Sequence, residues 1–354
     1  MKQGSYPIGS RTLVGTDTLT GVATGSTADI PVQAVVDLTL AAAPTLFPFG
    51  LYNKLINPNF EVWQRGVSFS IPGNTIAYTA DRWRLSVTNG ATGSVVVSQL
   101  GAGLEGGSRY ALRMDFSAAG LLNSFGATLS QIIETANVIP LQGQALTLSV
   151  RLRRSTAVGN INLSFNAGYG TDVFPIGGSG ATAATLPTTA WQTVSIPINM
   201  GSDYTSFAAN IGIGNTYTGQ LDISHMQLEV GTGNRAFESR PIGLELSLCQ
   251  RYFQSVRAAA GIVATSTAIW RAAGRLSVAM RASPTAVLNT SLGSLGIQCG
   301  SIGGPQTVSA ITTSYCTGEA FEVDLTITAT TASPGSMAVL LARSGGRFDL
   351  SAEL

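Results

Sequence analysis

Charged side chains are scarce in this sequence. Asp, Glu, Lys and Arg together make up 11% of its 354 residues, whereas they make up about 25% of ordinary soluble domains. Lysine occurs only at Lys2 and Lys54, and the net charge is +1. This balance provides no general basic surface, so we expect no nucleic-acid partner. Because 44% of the residues are apolar, we expect a folded chain with surface buried between subunits, where charges are depleted.

Histidine, cysteine and long hydrophobic runs are also scarce. One histidine and three cysteines are too few for a multi-histidine metal site, a zinc cluster or a disulfide framework. No G-x-S-x-G motif accompanies His225, so we interpret it as a structural strand residue. The longest apolar candidate, residues 34–50, is broken by Asp37, Pro44 and Pro48, and we expect no membrane insertion. The first residues lack the apolar stretch of a signal peptide, so we expect synthesis in a cytoplasm.

Acidic residues provide no clear catalytic pair. Hydrolysis of a glycoside needs two carboxylates at a suitable separation. Candidates are spread along the chain, and nothing in their spacing singles out two of them: Glu61, Asp81, Asp172, Asp203 and Asp222. We therefore predict a protein that is not an enzyme, and we assign no catalytic residue.

Short alternating segments dominate the chain after its first 50 residues. The segment from Leu146 to Leu152 alternates apolar and polar side chains, as a strand with one buried face does. Residues 161–165 and 194–198 follow the same pattern. Pro197 indicates an edge strand, because proline cannot donate to a neighbouring strand. Many short strands separated by glycine-rich turns indicate a sandwich or jelly roll.

These patterns predict an all-β fold in four parts. Residues 1–50 form an N-terminal extended arm, 51–240 a jelly-roll β-sandwich, 241–257 a short linking helix and 258–354 a smaller C-terminal β-sandwich. The helix is predicted because Pro241 suits a first helical position and apolar residues follow it at helical spacing. Those apolar residues are Ile242, Leu246, Cys249, Phe253 and Val256.

The arm lacks enough apolar side chains for a core of its own. It is rich in Thr, Gly, Ser and Ala, and it contains one alternating run from Ile30 to Leu38. We interpret it as a segment that anchors the protein to other chains. The predicted anchoring residues are Ile30, Val32, Val35 and Leu38. A disordered leader is the alternative interpretation.

Six aromatic residues lie near polar, glycine-rich segments: Tyr169, Trp191, Tyr204, Tyr217, Trp270 and Tyr315. Flat aromatic faces flanked by Asn, Asp, Gln or Arg side chains bind sugars, so the first five of these residues are candidate glycan-binding positions. Burial in a core or in a subunit interface is the alternative for each of them.

Two sets of segments carry a family resemblance. The first set is Leu-Ile-Asn-Pro-Asn-Phe-Glu-Val-Trp-Gln-Arg-Gly at 55–66 with Tyr-Thr-Ala-Asp-Arg-Trp at 78–83. The second is Met-Gln-Leu-Glu-Val-Gly at 226–231, Phe-Glu-Ser-Arg-Pro-Ile-Gly at 237–243 and Leu-Cys-Gln-Arg-Tyr-Phe at 248–253. In their residues and in their order along the chain they resemble the β-sandwich domain found in many tailed-bacteriophage tail fibre and virion structural proteins.

The resemblance implies a structural component of a tailed-phage virion. The protein would be a tail fibre or adhesin and a homotrimer. It would be synthesised in the bacterial host cytoplasm and located in the virion, with its arm bound to other virion proteins. Its β-sandwich domains would bind host-surface glycans or proteins. A neck, collar or head-decoration protein without receptor contact is one alternative, and a carbohydrate-binding module or glycosidase is another.

The opening Asn-Pro-Asn-Phe-Glu is also similar to jelly-roll carbohydrate-binding modules. In such modules the opening acid and an acid on the last strand flank a structural calcium, an ion that prefers hard oxygen ligands. The similarity implies Glu61 and Asp222 as the metal ligands. A hydrogen-bonded carboxylate near a strand end is the alternative, and no other cofactor is expected.

The same opening segments place tryptophan beside arginine twice. The pairs are Trp63 with Arg65 and Trp83 with Arg82. Large aromatics with adjacent charges suit a core closed by buried ion pairs, with Asp81 or Glu61 as the acidic partner. We therefore expect the motif to identify the scaffold better than the binding site.

Overall fold

The computed structural model describes most of the chain after residue 50 and one hairpin before it. The described residues are 18–23, 26–31, 51–87, 94–102, 104, 108–116, 126–155, 161–185, 188–214, 218–233, 235–256, 258–289, 294–298, 306–327, 333–343 and 346–354. The chain divides into two compact units. One comprises Met1–Leu51 with Arg235–Ser239, and the other comprises Tyr52–Asn234 with Arg240–Leu354.

The first unit contains an antiparallel hairpin. Its strands are β1 (Thr18–Ala23) and β2 (Ser26–Pro31). One predicted anchoring residue, Ile30, lies in β2. The other three lie outside the described residues: Val32, Val35 and Leu38. Anchoring through this run therefore stays a prediction.

Within the described part of the second unit, twelve strands build two antiparallel sheets. In chain order they are β3 (Ser68–Pro72), β4 (Thr75–Tyr78), β5 (Arg84–Val87), β6 (Ser94–Leu100), β7 (Ala111–Asp115), β8 (Ala127–Ile133), β9 (Ala145–Arg154), β10 (Ile161–Tyr169), β11 (Ile176–Thr185), β12 (Gln192–Asn199), β13 (Ser206–Ile213) and β14 (Gln220–Val230). The first sheet has the order β11-β10-β13-β8-β5-β4 and the second has the order β12-β9-β14-β7-β6-β3. One hydrophobic cluster draws side chains from both sheets, which confirms the predicted sandwich.

The alternation in the sequence determines which side chains enter this core. In β9, Leu146, Leu148, Val150 and Leu152 are fully buried, because successive side chains of a strand point to opposite faces. Among the described strands, β12 lies at the edge of its sheet and pairs with β9. The edge position predicted from Pro197 is therefore confirmed.

A one-turn helix and a short 3-10 turn follow β8, and a longer helix follows β14. They are α1 (Thr135–Val138), the turn Ile139–Leu141 and α2 (Ile242–Gln250). In the described part of the chain, no helix has both the length and the apolar character needed to span a bilayer.

Helix α2 is shorter than the predicted helix over 241–257. It ends at Gln250, and two of its residues chosen for helical spacing, Ile242 and Leu246, are 50% and 36% exposed. Phe253 and Val256 belong to a strand that pairs with residues near position 350. The prediction is wrong beyond Gln250, because pairing with a distant strand overrides the local periodicity.

The described strands after α2 form a barrel and a small sheet. They are β15 (Phe253–Val256), β16 (Ala258–Ala264), β17 (Ile269–Arg275), β18 (Thr285–Asn289), β19 (Ser294–Gln298), β20 (Gln306–Cys316), β21 (Ala320–Ile327), β22 (Met337–Arg343) and β23 (Arg347–Ser351). The barrel closes in the order β16-β17-β21-β20-β19-β22, and the small sheet has the order β15-β23-β18. A smaller sandwich is the prediction for this region. Its strands instead close on themselves, which pairs the edges that open sheets leave exposed.

Candidate functional sites

Asn57 organises the segments that carry the family resemblance. Its φ of 53° is a left-handed conformation that Asn adopts more readily than most residues. Its Oδ1 accepts hydrogen bonds from the backbone N–H groups of Glu61 and Val62 at 2.8 and 3.0 Å. Its Nδ2 donates to the backbone oxygens of Val62 and Asp81 at 2.8 and 3.0 Å. One buried amide side chain therefore fixes the opening segment against the Asp-Arg-Trp segment.

Two arginines from these segments bind one glutamate that follows β23. Nη2 of Arg65 lies 2.9 Å from Oε1 of Glu353, and Arg82 forms an ion pair with the other oxygen of that carboxylate. Nη1 of Arg65 also lies 3.4 Å from Oδ1 of Asp81. All four side chains are largely buried, where charges are tolerated only when paired. Arg65, Asp81, Arg82 and Glu353 are hereafter the junction network, because they connect the sandwich with the chain after the barrel.

Aromatic rings cover both arginines of the junction network. The guanidinium carbon of Arg65 lies 3.6 Å from the ring centroid of Phe253, and that of Arg82 lies 3.6 Å from the ring centroid of Tyr252. Both distances fit cation–π contacts. The Tyr252 hydroxyl donates to Glu134 at 3.1 Å. Burial raises the pKa of Tyr252 to about 12, so the hydroxyl stays protonated and keeps donating.

Asp81 is a buried member of the junction network with a raised pKa. Burial raises its pKa from 3.8 to about 6, against the opposing effects of Arg65 and of hydrogen bonds from Gln64. The backbone N–H of Gln64 donates to Oδ1 of Asp81 at 3.1 Å, and the Gln64 side chain donates to Oδ2. The charge of the network therefore changes in mildly acidic solution.

The junction network confirms the predicted ion pair between a motif arginine, Arg65, and Asp81. Glu353, the acidic partner of Arg82, was not predicted. It lies 271 positions from Arg82 in the sequence, and no local pattern connects residues so far apart. The motif residues are thus brought together as an interior scaffold.

Asp222, one of the two predicted calcium ligands, is bound by arginines on both sides. Nε of Arg113 lies 2.7 Å from its Oδ1, and Nε of Arg153 lies 2.8 Å from its Oδ2. Strand pairing explains the contacts, since β14 places Asp222 opposite Arg113 of β7 and Arg153 of β9.

The predicted calcium pair does not fit a metal site. Glu61, the second predicted ligand, accepts a hydrogen bond from Asn59 at 3.5 Å. The described residues contain no group of three or more His, Cys, Asp or Glu side chains placed to hold a metal ion. Asp222 is neutralised by two guanidinium groups, so it fits the alternative interpretation, a hydrogen-bonded carboxylate on a strand.

Tyr169 and Tyr204 meet where β10 ends and β13 begins. Their ring centroids lie 5.5 Å apart with the planes at 90°, an edge-to-face pair. The Tyr169 hydroxyl donates to Oδ2 of Asp203 at 2.9 Å. Tyr169 is 47% exposed. Tyr169, Asp203 and Tyr204 are hereafter the tip site, in which two predicted glycan-binding residues come together with an acid.

Glycines allow close packing around both rings of the tip site. A Cβ added at Gly201 would lie 2.8 Å from the ring of Tyr204, and one at Gly177 would lie 3.6 Å from the ring of Tyr169. Gly178 has φ of 81°, and a Cβ there would lie 2.1 Å from a backbone oxygen of β10. Only glycine fits that approach, so the glycine-rich start of β11 shapes the site.

The loop after Tyr169 is fixed on both sides. The Thr205 hydroxyl donates to the backbone oxygen of Gly170 at 3.0 Å. Asp172 accepts from the backbone N–H of Thr135 at 2.8 Å and from Arg281 at 2.9 Å. A site held this way loses less conformational entropy when it binds a ligand.

Two of the other predicted aromatic positions do not join the tip site. Trp191 is half-buried, and the guanidinium carbon of Arg153 lies 4.8 Å from its ring centroid, so that face is covered. Trp270 is fully buried in the barrel core, and its prediction as a binding surface is wrong because a core ring does not meet solvent. Tyr217 lies outside the described residues.

His225 lies in β14 within a hydrogen-bonded cluster. Its Nε2 is 2.7 Å from Oγ of Ser108, which is in turn 2.9 Å from Oγ of Ser224. Burial and, to a smaller extent, Arg151 lower the pKa of His225 to about 4. A base this weak is poorly matched to catalysis at neutral pH, which agrees with the structural interpretation.

Comparison with protein-family models gives no match, and comparison with curated proteins gives none either. TmCBM61, solved in complex with β-1,4-galactotriose, is 18% identical and covers 51% of this chain and 99% of its own, with a TM-score of 0.33. The enzymatically active domain of tailspike protein 4 of bacteriophage CBA120 is 8% identical and covers 51% of this chain and 22% of its own, with a TM-score of 0.33. The C-terminal family 22 carbohydrate-binding module of Clostridium thermocellum Xyn10B is 13% identical and covers 47% of this chain and 99% of its own, with a TM-score of 0.32. Likenesses this distant support no conclusion about ligand or role.

Proposed function

We propose that the protein binds glycans through the tip site. The observation that carries the proposal is the exposed Tyr169 ring, fixed by Tyr204 at its edge and by Asp203 at its hydroxyl. Tyrosine offers a large amphipathic contact surface with little side-chain entropy to lose. A sugar ring can place its C–H face on the tyrosine while its hydroxyls donate to the carboxylate.

Binding without catalysis fits the acids of the chain better than hydrolysis. Three of the five carboxylates considered as a hydrolytic pair are occupied by arginine. These are Asp81 with Arg65, Asp172 with Arg281, and Asp222 with Arg113 and Arg153. A glycosidase needs one acid free to donate a proton and a second free to act as nucleophile or base.

The wider role that we propose is a tailed-phage tail fibre or adhesin in the virion. It is supported by the family resemblance of the opening and central sequence segments. In this proposal the N-terminal arm binds other virion proteins, the protein is a homotrimer, and the tip sites face the host surface. The three tip sites of one trimer, each weak alone, would bind a repeating glycan with high avidity.

The glycan proposal is tested on a printed array of bacterial surface polysaccharides and simpler glycans. We expect Tyr169→Ala to weaken retention at least about tenfold, as loss of a central aromatic contact does. Tyr315→Ala is the matched control, since Tyr315 is a 65% exposed tyrosine on the barrel. Equal retention by wild type and Tyr169→Ala, or equal losses in both variants, would contradict the proposal.

The virion proposal is tested separately by immunogold labelling of intact particles and by sedimentation of the purified protein. Label at the tail tip and a trimeric mass support it. Label confined to the neck, collar or capsid supports the alternative of a structural part without receptor contact. A monomer that no particle carries would overturn the virion role.

A further inference from the structure

We propose that the tip site selects neutral glycans and excludes acidic ones, with Asp203 as the discriminating residue. This inference rests on the proposed glycan binding and adds the chemical class of the ligand. It follows from the charge and hydrogen bonding around one carboxylate.

Asp203 offers a carboxylate oxygen to a ligand. Its Oδ2 accepts the hydrogen bond from Tyr169, and its Oδ1 accepts none from the residues that the structure describes. Asp203 is exposed, so Oδ1 faces solvent beside an exposed aromatic ring. An ionised carboxylate only accepts hydrogen bonds, which suits the hydroxyl donors of a neutral sugar.

The negative charge of Asp203 has no counter-charge beside it in the part of the chain that the structure describes. Among the described residues, no Lys or Arg lies within ion-pair distance of Asp203. The acid of the neighbouring loop, Asp172, is already neutralised by Arg281 at 2.9 Å. The hydrogen bond from Tyr169 to Asp203, and then the charge of Asp203, raise the pKa of Tyr169.

An acidic sugar would meet the negative charge of Asp203 directly. Repulsion between Asp203 and a uronate, sialate or phosphate group at contact distance lowers the affinity roughly fivefold, even at the dielectric constant of water. The anionic group itself donates no hydrogen bond to Oδ1, whereas a hydroxyl in its place would. A neutral sugar avoids this repulsion and keeps the hydrogen bond to Oδ1. Stacking on the tyrosine ring is the same for both kinds of sugar.

The experiment compares neutral polysaccharides with their own oxidised forms. Soluble glucans, galactans and mannans are each paired with the same polymer after oxidation of its primary hydroxyls to carboxylates. Affinities are measured for wild type, for Asp203→Asn and for Glu319→Gln. The last variant removes one exposed acid from a barrel turn and controls for net charge.

We expect wild type to bind at least one neutral polymer, and to bind its oxidised form at least fivefold more weakly. Asp203→Asn should weaken neutral binding about tenfold, since a charge-assisted hydrogen bond is lost, and should remove most of the discrimination. Glu319→Gln should leave the ratio unchanged.

The possible failures are distinguishable. Equal or tighter binding of the oxidised polymers by wild type overturns the neutral-ligand inference while the proposed glycan binding stands. A ratio that falls equally in Glu319→Gln overturns the role of Asp203. Binding to neither form by any variant contradicts the proposed function itself.

Discussion

The junction network and the tip site use the same kinds of side chain in opposite ways. At the junction, Arg82 and Asp81 are buried, and their charges are neutralised by Glu353 and Arg65. At the tip, Asp203 remains exposed without a described cation. The paired, buried charges of the junction connect distant parts of the fold, whereas an exposed carboxylate with no described cation beside it is available to a ligand.

The largest expected effect comes from breaking the junction at Arg82. Arg82→Met leaves the buried Glu353 with one partner fewer, so we expect a loss of about 3–5 kcal/mol in the free energy of unfolding. Chemical denaturation measures the loss. Adding Glu353→Gln to Arg82→Met should recover part of it, because the uncompensated charge is then removed. A double variant less stable than the single one would contradict the ion-pair account.

The next effect is a pH dependence that belongs to Asp81. Its pKa is about 6 in the folded chain, raised from 3.8 by burial, so the folded state binds this proton more tightly than the unfolded state. Stability from this group is therefore full below about pH 4 and falls by up to about 3 kcal/mol as pH rises through 6.

Asp81→Asn isolates that contribution. His225 titrates in the opposite sense, since burial lowers its pKa to about 4, but it is present in both proteins and cancels in their difference. Unfolding is measured from pH 4 to 7.5 for both. The wild type should lose stability relative to the variant as pH rises, and a flat difference would show that Asp81 is not held in a raised-pKa environment.

The smallest effect on stability is expected at the tip. Tyr169→Phe removes only an exposed hydroxyl, so the free energy of unfolding should change by less than about 0.5 kcal/mol. Glycan affinity should still fall a few-fold, because Asp203 loses the contact that orients it. A large loss of stability would show that the tip, like the junction, holds the fold.

The sandwich could be predicted because its information is local. The alternation from Leu146 to Leu152 determines one core face, and Pro197 indicates an edge. The barrel could not be told from a second sandwich, because alternation reports buried faces and says nothing about whether the first and last strands meet. The predicted helix was too long for a related reason. Phe253 pairs with a strand about a hundred residues away, and no local pattern reveals that partner.

The candidate sites were only partly predictable. Tyr169 and Tyr204 were indicated by their polar, glycine-rich surroundings, but so was Trp270, which lies in the barrel core. Burial depends on the fold and not on the neighbouring residues in the sequence. Asp203 had one local signal, its position directly before Tyr204, whereas its contact with Tyr169 required the pairing of β10 with β13.

The most direct test is hydrogen–deuterium exchange with and without a glycan that the protein retains on the array. It shows whether the tip site binds the glycan while the junction network only stabilises the fold. The account predicts slower amide exchange at residues 168–178 and 201–206 when the glycan is added. Exchange at 57–65 and 78–83 should stay unchanged. Protection confined to the barrel strands or to the junction segments, with none at the tip, would contradict it.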